Sequence, residues 1–242
     1  MELPKTKSTI SNDPMSYSIL LFGPIKSGKS TFASKADNAI FLCTEPGLNA
    51  LSVFKVDIGN WSEMLDACKE LSKQEHEFKT VIIDTIDNSY EHCLEYICKK
   101  MKIEHPADLD YGKGWSAVNL EFKRVLTKLA AMPQGLIVIS HSKVQEIKTK
   151  TGKYDRIVPS TGGSKVVLGL MDMVLMVEVE AVKNDDGTIL HRRIIHTRPT
   201  ANYDAGSRIK NFPDPIDLSY EAFIKAFATA TAATATSKKD KK

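Results

Sequence analysis

The sequence predicts an α/β protein built on a mainly parallel sheet flanked by helices, with an antiparallel hairpin towards its C-terminal end. Short apolar runs, typical of buried strands, alternate along the chain with segments whose apolar residues recur at helical spacing. This alternation favours parallel strands that are covered on both faces. Late in the chain, a turn signal at residues 184–187 separates two β-rich runs, which predicts the hairpin.

The elements follow in a regular order. The predicted buried strands are residues 17–22, 39–43, 53–58, 81–84 and 135–140. Helices are expected from the end of the first loop to about residue 37, and then over residues 61–73, 88–101, 117–131, 164–171 and 220–227. The β-rich runs of the hairpin are residues 173–182 and 188–197, while residues 105–114 and 142–163 are expected to be polar loops.

One domain is expected over residues 17–228, since 242 residues are enough for a single large core and no repeat interrupts the pattern. Residues 1–16 are expected to be a flexible lead-in. The Ala/Thr-rich stretch and the lysines that follow it predict a disordered basic tail over residues 229–242.

The composition is typical of a soluble globular protein, with 42% apolar and 26% charged residues. It excludes collagen-like, disulfide-scaffold and wholly disordered classes. No apolar run is as long as a membrane span, and residues 1–16 lack the apolar segment of a secretory signal. A cytoplasmic location without a membrane partner is therefore expected, with four reduced cysteines: Cys43, Cys68, Cys93 and Cys98.

The formal net charge of +3 is unevenly distributed. The last six residues contain four Lys and one Asp, and residues 142–165 contain six basic and two acidic residues. The rest of the chain is therefore net acidic. The sequence thus predicts one basic loop and a basic tail on a body that is not itself basic.

A complete phosphate-binding motif follows the first strand. Residues 23–30 read GPIKSGKS, which matches the pattern G-x-x-x-x-G-K-[ST] in full. Its glycines let backbone N–H groups point at phosphate, and the helix that follows adds a favourable partial charge. Lys29 is expected to reach the β- and γ-phosphates, and Ser30 to ligate Mg²⁺. The expected nucleotide-binding residues are Gly23, Pro24, Ile25, Lys26, Ser27, Gly28, Lys29, Ser30, Thr31 and Asp84.

Three polar side chains follow predicted strands whose C-terminal ends line a ligand crevice. Asp84 ends an apolar run and can hold Mg²⁺ through water; Asp87 is an alternative, although its place beyond the strand favours a helix cap. Glu45 is a candidate base for the attacking water, and His141 is a candidate sensor of the γ-phosphate. A surface glutamate in a turn and a capping or solvent-facing histidine remain open alternatives.

The order of these features resembles that of RecA-like recombinase cores. GPIKSGKS looks like their Walker A motif and VIIDT like their Walker B motif. Glu45 falls where they carry a catalytic glutamate, and His141 falls where bacterial RecA has a sensor glutamine. Residues 159–163, PSTGG, resemble the end of their second DNA-binding loop. The resemblance covers about residues 17–200 and is nearest to core-only phage single-strand annealing ATPases.

The resemblance implies ATP and Mg²⁺ as cofactors and single-stranded DNA as the partner. It also implies a homo-oligomeric ring or filament with active sites at subunit interfaces, and a single-strand-binding protein is a further candidate partner. Arg198 is the first candidate for a finger inserted by the neighbouring subunit and Arg208 the second, while His196 matches the family pattern imperfectly.

Two loops are implied to bind DNA. The residues concerned are Tyr111, Lys113, Lys143, Lys148, Lys150, Lys153, Tyr154 and Arg156. Basic groups with an interleaved aromatic suit a single strand, because they combine phosphate attraction with base stacking. For Trp115 a buried anchor at the helix start is favoured over base contact, and residues 142–163 remain open to being a solvated hairpin.

We therefore expect a Mg²⁺-dependent, DNA-stimulated ATPase that promotes annealing or strand pairing in phage recombination, within the host cytoplasm. The expected catalytic residues are Glu45, Lys29, His141 and Arg198, and the expected metal ligands are Ser30 and Asp84. Three alternatives remain open: a hexameric helicase-type motor, a P-loop nucleotide or small-molecule kinase, and a nucleotide-gated scaffold that scarcely turns ATP over.

Overall fold

The computed structural model describes residues 3, 5–7, 9–150, 152–184 and 186–236. The strands are β1 (Ser18–Gly23), β2 (Ala39–Cys43), β3 (Phe54–Asp57), β4 (Thr80–Asp84), β5 (Gly135–Lys148), β6 (Lys153–Pro159), β7 (Met173–Lys183), β8 (Ile189–His196), β9 (Gly206–Ser207) and β10 (Ile216–Asp217). The α-helices are α1 (Lys29–Ala33), α2 (Trp61–Ser72), α3 (Ile86–Met101), α4 (Lys113–Ala130), α5 (Ser164–Leu170) and α6 (Tyr220–Thr236).

All these strands belong to one sheet, whose order is β10-β8-β7-β1-β5-β4-β2-β3, with β6 paired to β5 and β9 to β7. The strands from β7 to β3 in this order run parallel to one another. β8 pairs with β7 in the antiparallel sense. The predicted fold class, a mainly parallel α/β sheet with a C-terminal antiparallel hairpin, is confirmed.

Apolar side chains form a core on each face of the sheet. On one face, α2 to α5 pack around Trp61 and Phe122, and on the other, α1 and α6 pack around Phe32 and Phe223. Burying a large apolar side chain stabilises the fold by about 1.5–3 kcal/mol. The sheet is therefore fixed from both sides, and the loops at the C-terminal ends of its parallel strands are held on a rigid base.

The prediction of a long polar loop over residues 142–163 is wrong, and the alternative of a solvated hairpin describes most of this segment. β5 continues beyond the sheet core to Lys148, and β6 returns beside it from Lys153 to Pro159, so the segment is an antiparallel hairpin. Its outer part lies away from the core, as the 66% exposed Val144 shows. Because both faces are solvated there, the alternation that marks a half-buried strand is missing from the sequence.

Two described segments near the ends of the chain contain helical turns. Asp13 caps a short 3₁₀ turn, Pro14–Ser16, that buries Met15. The last helix, expected to end at residue 227, continues to Thr236 and buries Ala230. Alanine has the highest helix propensity, so an Ala-rich stretch extends a helix that already has a buried face. The lysine-rich end of the predicted tail, residues 237–242, lies outside the described residues.

The four cysteines are free and buried, as expected for reduced thiols. Burial raises the pKa of the Cys43 and Cys68 thiols to about 11, which keeps both protonated near neutral pH. In the described part of the chain, no helix is long and apolar enough to cross a membrane.

Candidate nucleotide-binding site

The phosphate-binding loop lies between β1 and α1 and depends on its glycines. A Cβ at Gly23 would stand only 2.5 Å from the carbonyl oxygen of Val177 on β7. Gly28, directly before α1, has φ +100°, in the left-handed region that favours glycine. These two positions let the loop turn tightly over the end of the sheet, as a phosphate cradle requires.

Lys29 folds back onto the loop that precedes it. Its side chain is buried, and Nζ donates hydrogen bonds to the carbonyls of Gly23 at 3.0 Å and Pro24 at 2.7 Å. Burial lowers the pKa of the Lys29 amine, while the charges of Asp84, Asp87 and Glu45 act in the opposite direction. The amine can therefore exchange neutral carbonyl acceptors for phosphate oxygens, which are stronger partners for a cation.

Ser30 and Asp84 form the centre of the expected metal site. The Ser30 hydroxyl donates to Asp84 Oδ2 at 2.7 Å, and Asp84 itself is buried. Burial raises the pKa of the Asp84 carboxyl, and the Ser30 hydrogen bond and the Lys29 charge partly offset this rise. A hydroxyl and a carboxylate in contact beside a phosphate loop offer the hard oxygen ligands that Mg²⁺ prefers, so these residues fit the ion.

Since burial disfavours the ionised form of Asp84, we expect Asp84→Asn to stabilise the nucleotide-free protein at pH 8. The expected gain in unfolding free energy is about 1 kcal/mol, which corresponds to a melting temperature higher by about 2–4 °C. The gain should shrink as pH falls through the raised pKa of Asp84, because the wild-type carboxyl then becomes neutral as well.

Thermal unfolding between pH 4 and pH 8, without nucleotide, measures this effect. Asp66→Asn removes an exposed carboxylate from α2 and serves as the control, with no comparable gain. A melting temperature of Asp84→Asn at or below that of the wild type at pH 8 would contradict the expectation.

Glu45 follows the C-terminal end of β2 and lies beside His141, which is in the middle of β5 and pairs with Gly23 at the end of β1. Thr44 fixes the approach to Glu45, because its hydroxyl donates to the Thr85 carbonyl at 2.7 Å and accepts from the Thr85 amide at 2.9 Å. His141 Nε2 lies 3.4 Å from Glu45 Oε1. Burial raises the pKa of Glu45, with His141 opposing the rise. A carboxylate whose pKa is moved towards neutrality is a stronger base, which suits the predicted activation of water.

A cavity of about 410 Å³ brings most of the predicted site residues together. Its lining contains these predicted residues: Ile25, Lys26, Ser27, Gly28, Lys29, Ser30, Thr31, Glu45, Asp84 and His141. Among the described residues, the buried Ser27 hydroxyl has no hydrogen-bond partner. An unsatisfied buried hydroxyl within a phosphate loop is available to a ligand. Sequence reasoning missed Arg193, on β8, which also lines this cavity.

Asp87 does not cap α3, so the prediction of a cap is wrong. Thr85 holds the N-cap position, and the Asp87 carboxylate points instead to the base of the β5–β6 hairpin. It accepts from the Ser140 hydroxyl and from the His141 amide, both at 3.1 Å, and from the Ser160 hydroxyl. Asp87 therefore joins the two sides of the hairpin at its base, next to His141, which lines the nucleotide cavity.

The predicted DNA-binding residues of the hairpin differ in how free they are. Lys148 and Lys150 are exposed and make no ion pair within the described part of the chain. Lys153 lies 3.0 Å from Glu146, and Arg156 is paired with Asp204 at 2.6 Å. The remaining two members are Lys143, which donates to the Ser160 carbonyl, and the half-buried Tyr154, opposite Ile147 in the ladder.

In the first implied loop, Tyr111 is 97% exposed, and Lys113, also exposed, begins α4. Trp115 is 38% exposed, and its ring meets that of His105 edge-on at 5.4 Å. Two 3₁₀ turns, Pro106–Asp108 and Asp110–Gly112, replace the expected irregular loop. Tyr111 thus presents a free aromatic face, whereas Trp115 packs against the His105 ring and is not the buried anchor that the sequence favoured.

The two finger candidates are anchored within the subunit. Arg198 donates from its guanidinium to the Phe212 carbonyl at 3.1 Å, and Arg208 pairs with Asp172 at 3.1 Å while staying largely exposed. The imperfectly matching His196 is buried and lies 2.6 Å from Glu178. A role of Arg198 or Arg208 in a neighbouring active site stays a prediction.

A sequence model of the AAA domain matches residues 15–209, which include β1 to β9 and all the residues that line the nucleotide cavity. The chain belongs to this AAA domain family. The AAA domain assignment agrees with a P-loop ATPase core and with the phosphate loop described above. It covers β1 to β9 and leaves only β10 and α6 outside the match.

A relative of this AAA domain is the SPbeta prophage-derived uncharacterized protein YorG of Bacillus subtilis (strain 168). The two sequences are 25% identical over 160 residues, which is 63% of this chain and 50% of YorG. The chain thus spans about half the length of that relative.

Proposed function

We propose that this AAA domain protein hydrolyses ATP with Mg²⁺, binds single-stranded DNA and promotes annealing or pairing of strands in phage recombination. One observation carries the proposal: a chain of contacts leads from the nucleotide cavity to both strands of a basic hairpin. The prophage origin of YorG is in keeping with a phage context. Membership in the RecA branch of P-loop proteins is part of the same proposal, and it rests on the resemblance of the motifs to those of RecA-like cores.

The chemistry at the cavity follows from the positions of five side chains. Lys29 binds the phosphate chain, and Ser30 and Asp84 hold Mg²⁺, which when bound neutralises charge that develops on the phosphates. Glu45, raised in pKa by burial, orients the attacking water and takes its proton. His141, whose Nε2 lies 3.4 Å from Glu45 Oε1, lines the same cavity and is the proposed sensor of the γ-phosphate.

The hairpin is coupled to this chemistry through the backbone of His141. Its amide donates to Asp87, and its carbonyl accepts from the Ser160 amide at 2.9 Å. Asp87 in turn accepts from Ser160 on the returning side of the hairpin. A change at the His141 side chain therefore acts on the hydrogen bonds among Asp87, His141 and Ser160, which join the outgoing and the returning strand. The nucleotide state would bias these hydrogen bonds.

The hairpin offers a surface suited to a single strand. Lys148 and Lys153 lie directly opposite each other across its end, and Lys150 lies in the turn between them. Phosphate attraction of this kind releases counterions and makes binding depend on salt. Tyr154 and the exposed Tyr111 supply ring faces for bases, at about 1–3 kcal/mol for each stacked base.

We expect replacement of Lys148, Lys150 and Lys153 by alanine to weaken binding of single-stranded DNA by at least about tenfold at low salt. The slope of log affinity against log salt should decrease by about 2, since three phosphate contacts are lost. Fluorescence anisotropy with a labelled oligonucleotide across a salt series measures both values. The ATPase rate with and without DNA, measured on the same proteins, reports the coupling to the nucleotide site.

The matched control replaces three exposed lysines on β3, on α2 and directly after α2, namely Lys55, Lys69 and Lys73, and so removes the same charge elsewhere. Equal losses in both triple variants would leave no role for the hairpin. Absence of DNA binding by the wild type would overturn the DNA part of the proposal, while unwinding of a forked duplex would favour a helicase-type motor over an annealing protein.

A further inference from the structure

We propose that Arg193 is a phosphate-binding residue of the nucleotide site and that it serves the site of its own subunit. The inference rests on the proposed binding of ATP and adds to it a residue that the phosphate-loop motif does not contain. It is carried by the place of Arg193 on β8, by its freedom from other partners and by the shape of the cavity that it lines.

The register of the sheet brings Arg193 over the phosphate loop. Phe22, near the end of β1, pairs with Met176 of β7, which pairs with His196 of β8. Arg193 pairs with Val179, three residues further along β7, and therefore lies beyond the end of β1, where the phosphate loop begins. A Cβ built on Gly28 would stand 3.4 Å from Arg193 Nη1, which shows that the guanidinium rests against the loop.

The guanidinium of Arg193 is uncommitted. Within the described part of the chain it makes neither a hydrogen bond nor an ion pair, although Glu45 and Asp84 line the same cavity. Its neighbour Arg192 points to the other face of β8 and is paired with Asp217 at 2.7 Å. A planar guanidinium that lies beside a phosphate loop and has no carboxylate partner fits bidentate binding of a phosphate group.

The same register separates Arg193 from the finger candidate Arg198. β8 runs antiparallel to β7, so its first residues lie beyond the C-terminal end of β1. Its last residue, His196, lies level with Phe22 of β1. Arg198 follows His196 and is drawn away to the Phe212 carbonyl. Of the arginines on this segment, Arg193 is therefore the one that reaches the cavity of the same subunit.

Calorimetric titration of the full chain with MgATP tests the assignment. We expect Arg193→Gln to raise the Kd for MgATP by about 10- to 100-fold, the range for a hydrogen bond between charged groups. Arg193→Lys should lose less, because the charge stays while the bidentate geometry is lost. Arg192→Gln is the matched control and should bind as the wild type does. Arg193→Gln binding MgATP as tightly as Arg192→Gln would overturn the proposal.

A mixing experiment separates action within a subunit from action on a neighbour. Equal amounts of Arg193→Gln and Lys29→Ala are combined and titrated with MgATP. If Arg193 acts within its own subunit, the mixture contains no tight site; recovery of tight sites would overturn that part of the proposal. Wild-type protein that fails to bind MgATP would refute the proposed function itself, whereas normal wild-type binding with normal Arg193→Gln binding would refute only the role of Arg193.

Discussion

Lys29→Ala is expected to weaken MgATP binding by about 100-fold and to reduce hydrolysis to background, the largest loss of affinity that the site predicts. The buried amine of Lys29 is held by the carbonyls of Gly23 and Pro24, neutral acceptors that it can exchange for phosphate. Lys26 also lines the cavity, but it is exposed. Titration calorimetry and a phosphate-release assay measure the two effects.

The control for this prediction is Lys35→Ala, which removes an exposed lysine just beyond α1 and should change neither affinity nor rate. Circular dichroism and thermal unfolding of both variants separate a lost ligand contact from a lost fold. Nucleotide affinity of Lys29→Ala within a factor of two or three of the wild type would show that the phosphate loop does not bind nucleotide in the proposed way.

The fold could be predicted wherever local sequence and burial coincide. β1, β2 and β4 are continuous apolar runs because both of their faces are covered, and such runs are visible without any structure. The outer part of β5 is different, since its residues face water on both sides and their order reads as a polar loop. Its strand geometry comes from pairing with β6, which no local pattern records.

The residues of the candidate site also fall into two groups, those that local sequence predicts and those that depend on long-range pairing. Lys29 and Ser30 were predictable because the motif, the loop and the helix are contiguous in sequence, and Asp84 because it ends a buried apolar run of its own, β4. Asp87 and Arg193 were not predictable in their observed places. The contact of Asp87 with Ser160 spans 73 residues, and the position of Arg193 depends on the register of β8 against β7 and of β7 against β1. Registers of this kind are set by the packing of the whole sheet.

Replacing Glu45 by glutamine should separate ATP binding from ATP hydrolysis. Glutamine keeps the size and hydrogen-bonding reach of the side chain but cannot take a proton from water. We therefore expect the Kd for MgATP to stay near its wild-type value, while kcat falls by about 100- to 10,000-fold. Glu70→Gln, at an exposed ion pair of α2, should leave kcat unchanged. If Glu45→Gln lost MgATP binding together with ATP hydrolysis, Glu45 would instead be a residue that maintains the structure of the binding site.

The pH dependence of kcat gives a second, independent reading of Glu45. Burial raises the pKa of its carboxyl and His141 opposes that rise. Since catalysis needs the ionised carboxylate, kcat should begin to fall, as pH is lowered, at a pH above the usual pKa range of a glutamate. His141→Ala should shift this fall in kcat further towards neutral pH, because it removes the His141 charge that lowers the pKa of Glu45. An ATPase rate that is unchanged in Glu45→Gln would exclude Glu45 as the base and would favour a nucleotide-gated scaffold. In such a scaffold, the contact between Glu45 and His141 transmits the presence of bound ATP to the hairpin, and the site does not promote hydrolysis of the ATP.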